Sequence, residues 1–375
     1  MSKQTLFTIF ALVALVFGSM VYAAPQGQAD SQRPDFVPGE IIVRFKGDEA
    51  PFQVIQVAQG QEAQAVRAFQ QRFDVIYAEQ NYIVQALGSN DTQYANQWAL
   101  HNTAQTIFNG FGTSLGSGIA DADVDWEEAW AGYSTASFSN AVVAIVDSGI
   151  DDTHEDLSGK LWNNSNEIPG NGIDDDGNAF VDDAWGWDFV QDDNIPRDVY
   201  GHGTHVSGIA AAETNNIRGI AGVAFPASVK IMSLRVLNDD GFGSTSDVAA
   251  GIRYAADNGA KSINLSLGGV GSSTLKNAVN YAWSKGAVLA AAAGNDGGGR
   301  KYYPASYPVV MSVAATDFND HTASFSNFND AVDISAPGVN VFSTFPTYDF
   351  TIGTNYGRSK NYDVGSGTSM STPHV

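Results

Sequence analysis

The chain has 375 residues, of which 43% are hydrophobic and 16% charged, enough for one large globular domain and a small one. A formal net charge of -22 argues against a basic, phosphate-binding surface and therefore against a nucleic-acid partner. The sequence contains no cysteine. We therefore expect the core, and cations bound by the acidic residues, to stabilise the fold.

Residues 1–24 predict a secretory signal peptide. Lys3 precedes an apolar run over residues 6–20, and small residues suited to cleavage end at Ala24. The run is shorter than the roughly 20 residues of a comfortable membrane span, although an uncleaved anchor is the alternative. We expect a secreted monomer, extracellular or periplasmic, with no membrane contact after signal cleavage.

Residues 34–88 predict a small α+β unit. "GEIIVRFK" is typical of a strand, "QEAQAVRAFQQRF" spaces its Ala and Phe residues as a helix does, and "NYIVQAL" indicates a closing strand. The Gly, Asn and Asp residues of "LGSNDTQ" then separate this unit from a main domain over residues 91–375.

The main domain alternates short apolar strands with amphipathic helices. The helical patterns are "TSDVAAGIRYAADNG" and "TLKNAVNYAWSKG", and the strand patterns are "AVVAIVDSG", "VKIMSLRVL", "AKSINLSLGG", "AVLAAAAGN" and "VVMSVAATD". This alternation predicts an α/β fold with a doubly wound, mostly parallel sheet. Ligands of such sheets bind beyond the carboxyl ends of the strands, so polar residues there are candidates for a site.

Four polar residues stand at such positions. Asp147 ends a strand, His202 lies in "YGHGTHVSG", Asn295 ends "AAAAGN", and Ser369 lies in "GTSMSTPHV". A serine becomes a nucleophile when an imidazole takes its proton and a carboxylate orients that imidazole. Taken singly, each residue also fits a turn or a polar loop, and the spacing of His202 and His205 also fits a metal pair.

Together, "VAIVDSGID", "HGTHVSGIAAA", "SINLSLGG", "AAAGN" and "GTSMSTPHV" resemble the subtilisin-like serine proteases from about residue 91 to the end of the chain. The resemblance implies serine endopeptidase activity through an acyl-enzyme. It assigns Asp147 as the orienting carboxylate, His202 as the general base and Ser369 as the nucleophile. Asn295 becomes the oxyanion donor, and His205 is structural.

The resemblance also implies where a polypeptide substrate binds. The family holds its substrate by backbone pairing, here with Ser266, Leu267, Gly268, Ala293 and Gly294. Tyr302 falls at the floor of the primary specificity pocket, where it is expected to disfavour large aromatic side chains. A catalytically inactive, calcium-binding relative is the alternative function.

A second serine motif competes with Ser369. "GTSLG", residues 112–116, fits the G-x-S-x-G pattern of α/β-hydrolases, with Ser114 as nucleophile. That pattern needs a strand before the serine and a helix after it, whereas Ser114 lies in a Gly-rich stretch that predicts neither.

Two structural Ca²⁺ sites are expected. The acidic loop "GIDDDGNAFVDD" offers alternating oxygen ligands in Asp174, Asp176 and Asn178, followed by Asp183, although it departs from an EF-hand. A solvated acidic loop is the alternative. The resemblance implies a second site at "ETNNIRGIAG", where Asn216 would be joined by Asp156 and Asp91.

Two further expectations follow from the resemblance. Residues 34–88 would be a ferredoxin-like α+β propeptide that assists folding and inhibits the enzyme within the same chain, with cleavage between about residues 86 and 92. The family also places its serine at the start of a long buried helix, of which residues 370–375 supply less than two turns. We therefore expect a longer parent protein to be the working protease.

Overall fold

A computed structural model describes residues 36–47, 50, 52–82, 88–133, 140–225 and 228–375. The predicted signal peptide lies outside the described residues. The chain divides into two compact units, Met1–Ala86 and Leu87–Val375.

The described part of the first unit contains three strands and one helix, an α+β arrangement. These are β1 (Phe36–Phe45), β2 (Gln53–Gln56), α1 (Glu62–Gln70) and β3 (Val75–Tyr82), with the antiparallel order β2-β1-β3. Ile41, Val43 and Ala78 form its buried core. The closing strand begins at Val75, earlier than "NYIVQAL" indicated, and residues 83–87 of that pattern lie outside the described residues.

Seven parallel strands form the central sheet of the second unit, in the order β12-β11-β10-β9-β6-β8-β7. Their bounds are β6 (Ala141–Asp147), β7 (Gly186–Asp188), β8 (Val229–Arg235), β9 (Ser262–Leu265), β10 (Val288–Ala292), β11 (Met311–Thr316) and β12 (Ile334–Pro337). The five strands that the sequence predicts are all present.

Alternate side chains of these strands enter two cores, one on each face of the sheet. Val146 and Leu234 pack with the helices α4 (Thr245–Asp257) and α5 (Ser273–Ser284). Ile145 and Ile231 pack with α3 (His202–Ala211) on the opposite face. Burial on both faces explains why these strands are almost continuously apolar, and it confirms the predicted doubly wound α/β fold.

Serine side chains start both predicted crossover helices. Ser244 Oγ accepts the Asp247 N–H at 3.1 Å at the start of α4, and Ser272 Oγ accepts the Leu275 N–H at 3.1 Å at the start of α5. Such caps satisfy backbone donors that have no partner within the helix.

Smaller elements surround the sheet. They are the hairpin of β4 (Thr106–Phe108) and β5 (Ser114–Ser117), the hairpin of β13 (Val341–Phe345) and β14 (Asn361–Gly365), and the helices α2 (Trp126–Tyr133), α6 (Thr351–Tyr356) and α7 (Thr368–Ser371). Among the described residues, no helix has the length and apolar character needed to cross a membrane.

Candidate active site

The carboxyl edge of the sheet brings the predicted catalytic residues together. Asp147 is the last residue of β6, Asn295 follows β10, and Ser369 lies in α7 after β14. His202, Asn295 and Ser369 line one cavity of about 380 Å³. Asp147 and Asn295 lie close together because parallel strands place their carboxyl ends at the same edge, whereas Ser369 follows β14 of a separate two-stranded sheet.

Asp147 and His202 form a hydrogen-bonded pair. His202 Nδ1 lies 2.7 Å from Asp147 Oδ1, which also accepts the Ser148 N–H at 2.8 Å. A carboxylate can only accept, so Nδ1 carries the proton and Nε2 is left as the basic nitrogen. Burial lowers the pKa of His202, but the charge and hydrogen bond of Asp147 and the charge of Asp198 outweigh it and raise the pKa.

A second carboxylate, Asp198, fixes the start of α3. Gly201 precedes His202 with a φ of 104°, which favours glycine, and provides no side-chain cap. Fully buried Asp198 accepts the N–H groups of Gly201 at 2.7 Å and Thr204 at 2.8 Å, and the Ser148 hydroxyl at 2.9 Å. Asp198 therefore links the strand of Asp147 to the helix of His202.

Ser369 is half-buried in the short helix α7. Its Oγ donates to the carbonyl of Ser266 at 3.0 Å, while Ser266 Oγ donates to the carbonyl of Ser369 at 2.7 Å. Within the described residues no hydrogen bond joins Ser369 to His202, although both side chains line the same cavity. A catalytic hydrogen bond of this kind often forms only in the substrate complex.

Asn295 is exposed and oriented by the residue before Ser369. Its Oδ1 accepts both the N–H and the hydroxyl of Thr368 at 2.9 Å. Because Oδ1 is engaged, the amide Nδ2 is the donor left free, and Asn295 lines the same cavity as Ser369.

Two further cavities adjoin the site, the first sharing Asn295 and Ser369 with the 380 Å³ cavity and the second sharing Tyr200 and His202 with it. One of about 190 Å³ is lined by Gly268, Gly294, Asn295, Tyr302, Thr368 and Ser369. The Tyr302 ring packs against Gly294, where a Cβ would stand 2.7 Å from it. The second, of about 310 Å³, runs from His202 past Leu267 to the exposed side chains of Phe242 and Val270.

The predicted peptide-pairing segments differ in their free backbone groups. Among the described residues, none bonds to the backbone N–H or carbonyl of Leu267 or Gly268. The Gly294 N–H donates to Thr368 Oγ1, and its carbonyl accepts the Asn327 N–H at 2.9 Å. The Ala293 N–H and carbonyl are also bonded within the protein. Residues 293–294 therefore line the groove, but their backbone groups are already bonded within the protein.

His205 is placed as a core residue. It is fully buried, contacts Phe345 at 4.7 Å between ring centres, and burial lowers its pKa to about 3. A neutral, enclosed imidazole fits a structural role better than a metal pair with His202.

Ser114 lies in a different part of the domain. It is an exposed residue at the start of β5, in the hairpin with β4, and its Oγ accepts the Gly116 N–H at 3.3 Å. The G-x-S-x-G stretch is therefore a hairpin strand, where the sequence indicated neither strand nor helix. No helix follows the serine directly, since residues 118–125 separate β5 from α2, so the nucleophile turn of α/β-hydrolases is not formed.

The acidic loop contributes to a cluster of three carboxylates. Oxygen atoms of Glu167, Asp176 and Asp183 lie within 4.8 Å of one another. Burial raises the pKa of Asp183, whose oxygens accept hydrogen bonds from Asn164, Asn178 and Tyr254. Sequence analysis missed Glu167, which precedes the loop.

Two of the predicted ligands, Asp174 and Asn178, make hydrogen bonds within the loop. The Asp174 carboxylate accepts the N–H groups of Gly177, Asn178 and Ala179 at 2.7–3.0 Å and stabilises the turn. The Asn178 amide donates to Asp183 Oδ2 at 2.9 Å. Short-range bonds of this kind compete well with a ligand role because little chain has to be ordered to form them.

The residues of the expected second cation site are together. Asn216 Nδ2 donates to Asp156 Oδ1 at 2.9 Å, and the N–H groups of Asn215 and Asn216 each donate to buried Asp91 at 2.9 Å. Desolvation raises the pKa of Asp156. These contacts join the start of the second unit to the loop that follows α3.

Comparisons with known proteins agree with this architecture. Residues 139–375 match the Subtilase family. Thermitase of Thermoactinomyces vulgaris is 47% identical over 244 residues, which cover 65% of this chain and 75% of that protein. The thermophilic serine proteinase of Bacillus sp. (strain AK1) is 38% identical over 348 residues, 91% of this chain and 76% of that protein.

A solved structure of proteases from Pseudoalteromonas arctica is 31% identical, with a TM-score of 0.57, and the match covers 76% of this chain and 84% of that one. The family match spans more than half of the chain, and both relatives are matched over most of their own length. The chain therefore belongs to the subtilase family and is a subtilisin-like, serine-type endopeptidase.

Proposed function

We propose that the protein is a secreted endopeptidase that cleaves polypeptides through an acyl-enzyme formed on Ser369. The observation that carries the proposal is the 2.7 Å bond between His202 Nδ1 and Asp147, with Ser369 and Asn295 on the same cavity. The pair leaves His202 Nε2 free to accept a proton at the side where Ser369 lies.

In the first step, Ser369 Oγ leaves the carbonyl of Ser266 and attacks the substrate carbonyl carbon, while its proton passes to His202 Nε2. Asp147 stabilises the imidazolium without taking the proton. His202 then protonates the leaving amine, and the C–N bond breaks to give the acyl-enzyme and the first product. Water then attacks the acyl-enzyme carbonyl carbon while its proton passes to His202. The ester bond to Ser369 breaks, His202 returns the proton to Ser369 Oγ, and the carboxylic acid product is released.

Negative charge develops on the substrate carbonyl oxygen during both steps. Asn295 Nδ2 is placed to donate to that oxygen, because Thr368 holds the other end of the amide with two hydrogen bonds. A donor held in advance needs no reorganisation during the reaction, which is why such groups lower the barrier.

The substrate residues before the scissile bond would pair with the free backbone groups of Leu267 and Gly268 as an added strand. Ser266, Ala293 and Gly294 would shape that groove. The side chain of the substrate residue just before the scissile bond would enter the 190 Å³ cavity closed by Tyr302. The size of that cavity favours small or medium side chains.

Structural Ca²⁺ is proposed at the two sites described above. Glu167, Asp176 and Asp183 fit a hard cation because three carboxylates converge and two of them are buried, where mutual repulsion needs compensation. Asp91, Asp156 and Asn216 would hold the second ion. The ions would stabilise loops in a chain without disulfides.

The remaining parts of the proposal concern processing. Residues 1–24 would direct export to the extracellular space or periplasm, and residues 34–88 would act as a propeptide that inhibits the enzyme in the same chain. The match to the Bacillus sp. proteinase supports a shared architecture, because it covers 91% of this chain. N-terminal sequencing of the secreted protein would test both cleavage positions.

The decisive experiment is labelling of the purified protein with a fluorophosphonate, followed by peptide mapping. We expect the label on Ser369, and we expect Ser369→Ala to lose both labelling and peptide cleavage while its far-UV spectrum is unchanged. Ser114→Ala is the matched control, since that serine is exposed, lies in the β4–β5 hairpin and does not line the cavity that contains His202. Labelling or cleavage that survives in Ser369→Ala would refute the assignment.

A further inference from the structure

The 380 Å³ cavity, which we name the leaving-side cavity, contains one charged side chain. Arg358 lines it together with His202, Asn295, Tyr356, Ser369 and Met370. Among its lining residues there is no Asp, Glu or Lys. The whole chain has 41 acidic and 19 basic residues, so a wall with a cation and no carboxylate is a local reversal of the protein's charge.

The position of this cavity decides which part of a substrate it meets. Leu267 and Gly268, whose free backbone groups bind the residues before the scissile bond under the proposed function, line the 190 Å³ cavity. That cavity shares only Asn295 and Ser369 with the leaving-side cavity, so the two extend from Ser369 along different walls. The residues after that bond must leave the nucleophile on the side of His202, which protonates the departing amine. Those residues therefore pass through the leaving-side cavity.

The guanidinium of Arg358 is held in place but has free donors. Its carbon lies 5.7 Å from the centre of the Phe111 ring, and its Nη1 lies 3.9 Å from Asp363 Oδ1, beyond hydrogen-bond distance. Nη1 is buried beside Gly110, which does not line the cavity, and it has no hydrogen-bond acceptor among the described residues. Nε and Nη2 also have no acceptor there, and they are the donors left for a ligand. The Asp363 oxygens already accept the N–H groups of Ser359 and Val364, each at 2.7 Å.

The segment that carries Arg358 is docked against the loop before His202. The Thr351 N–H donates to the carbonyl of Val199 at 3.0 Å, and the Ile352 N–H donates to that of Tyr200 at 3.1 Å. Phe350, at the start of α6, stacks on Phe345 at 5.1 Å. The guanidinium thus belongs to a fixed wall of the cavity, which lowers the entropic cost of using it in binding.

We propose that Arg358 makes the enzyme prefer substrates with an acidic side chain in the first two residues after the scissile bond. The carboxylate of Asp or Glu accepts charge-assisted hydrogen bonds from the free guanidinium donors. Because the side chain is 22% exposed, solvent screens the pair, and we expect a preference of about threefold to tenfold. This inference rests on the proposed function.

The test uses quenched fluorescent peptides that are identical except for Glu, Gln or Lys at those two positions. The wild-type enzyme should give the highest kcat/KM for Glu and the lowest for Lys, with the Glu/Gln ratio falling as salt is added. Arg358→Gln should bring that ratio to about one, and Arg358→Lys should retain part of it. The ratio compares two substrates of one variant, so it does not depend on the fraction of active enzyme.

Lys360→Gln is the control, because this lysine is nearby and half-exposed but pairs with Asp349 and does not line the cavity. Its Glu/Gln ratio should equal that of the wild type. Equal cleavage of the Glu and Gln peptides by the wild type, or an unchanged ratio in Arg358→Gln, would overturn the inference. Failure of the proposed function looks different, since the wild type would then cleave no peptide and take no fluorophosphonate.

Discussion

Thr368 orients the predicted oxyanion donor, Asn295. Thr368→Val should show how much this orientation contributes to kcat while the Asn295 amide itself is kept. Valine keeps the shape of threonine and the backbone N–H that donates to Asn295 Oδ1, but it removes the hydroxyl that donates there at 2.9 Å. One of two hydrogen bonds is lost, a net change of about 0.5–1.5 kcal/mol. If that loss appears in the transition state, kcat falls about twofold to tenfold.

The same hydroxyl accepts the Gly294 N–H at 3.2 Å, so the variant should also unfold at lower temperature. Thr368→Ser keeps the hydroxyl and is the matched control, with kcat near that of the wild type. Asn295→Ala should lower kcat by about 100- to 1,000-fold, the size found when one oxyanion donor is removed from subtilisin.

A double-mutant cycle tests the mechanism directly. Once the Asn295 side chain is gone, Thr368→Val has no amide to release, so it should lower kcat no further. Single-turnover rates on a peptide anilide would measure all four proteins. If Thr368→Val costs the same factor with and without Asn295, the two residues act independently and the orientation argument fails.

Three further variants probe charge and shape. Burial raises the pKa of Asp198 from 3.8 to about 6. The free energy of unfolding of the wild type should therefore fall by up to about 3 kcal/mol relative to Asp198→Asn as pH rises from 4 to 7. If denaturant unfolding gave the same difference between the two proteins at both pH values, this prediction would be contradicted. Glu167→Gln should reduce the Ca²⁺-dependent rise in Tm measured against a chelator, whereas Asp330→Asn, an exposed carboxylate, should not. Tyr302→Ala should raise kcat/KM for peptides with Phe before the scissile bond relative to Ala, and an unchanged ratio would remove Tyr302 from the pocket floor.

The strands and the candidate catalytic residues could be picked out of the sequence for the same physical reason. A strand buried on both faces must be apolar along its whole length, so Asp147 is conspicuous at the end of "AVVAIV". The sequence did not predict the short strands β2, β7 and β12. Their pairing depends on neighbours that only the fold supplies.

Residues that act through another residue were harder to find. Asp198 precedes Gly201 and Thr204 by three and six positions, a spacing that could have suggested a cap for the helix of His202. Glu167 gave no signal, since it joins Asp176 and Asp183 only after the loop folds. Arg358 is likewise placed by tertiary structure alone.

Some of the many acidic residues also have a structural role, which the net charge alone does not show. Buried carboxylates accept backbone N–H groups from distant segments: Asp151 binds Thr347, 196 residues away, and Asp91 binds Asn215, 124 residues away. In a chain without cysteine these bonds tie together the loops that surround the site.

The same carboxylates also set how the site responds to acid. Burial opposes the charge of Asp151, but its hydrogen bonds prevail and lower its pKa, so its contribution to stability is lost as pH falls. Asp198 behaves in the opposite way, since burial prevails there and its charge weakens the fold as pH rises. As pH falls, Asp198 is therefore protonated first, which does not weaken the fold, and the stabilising charge of Asp151 is lost only at lower pH.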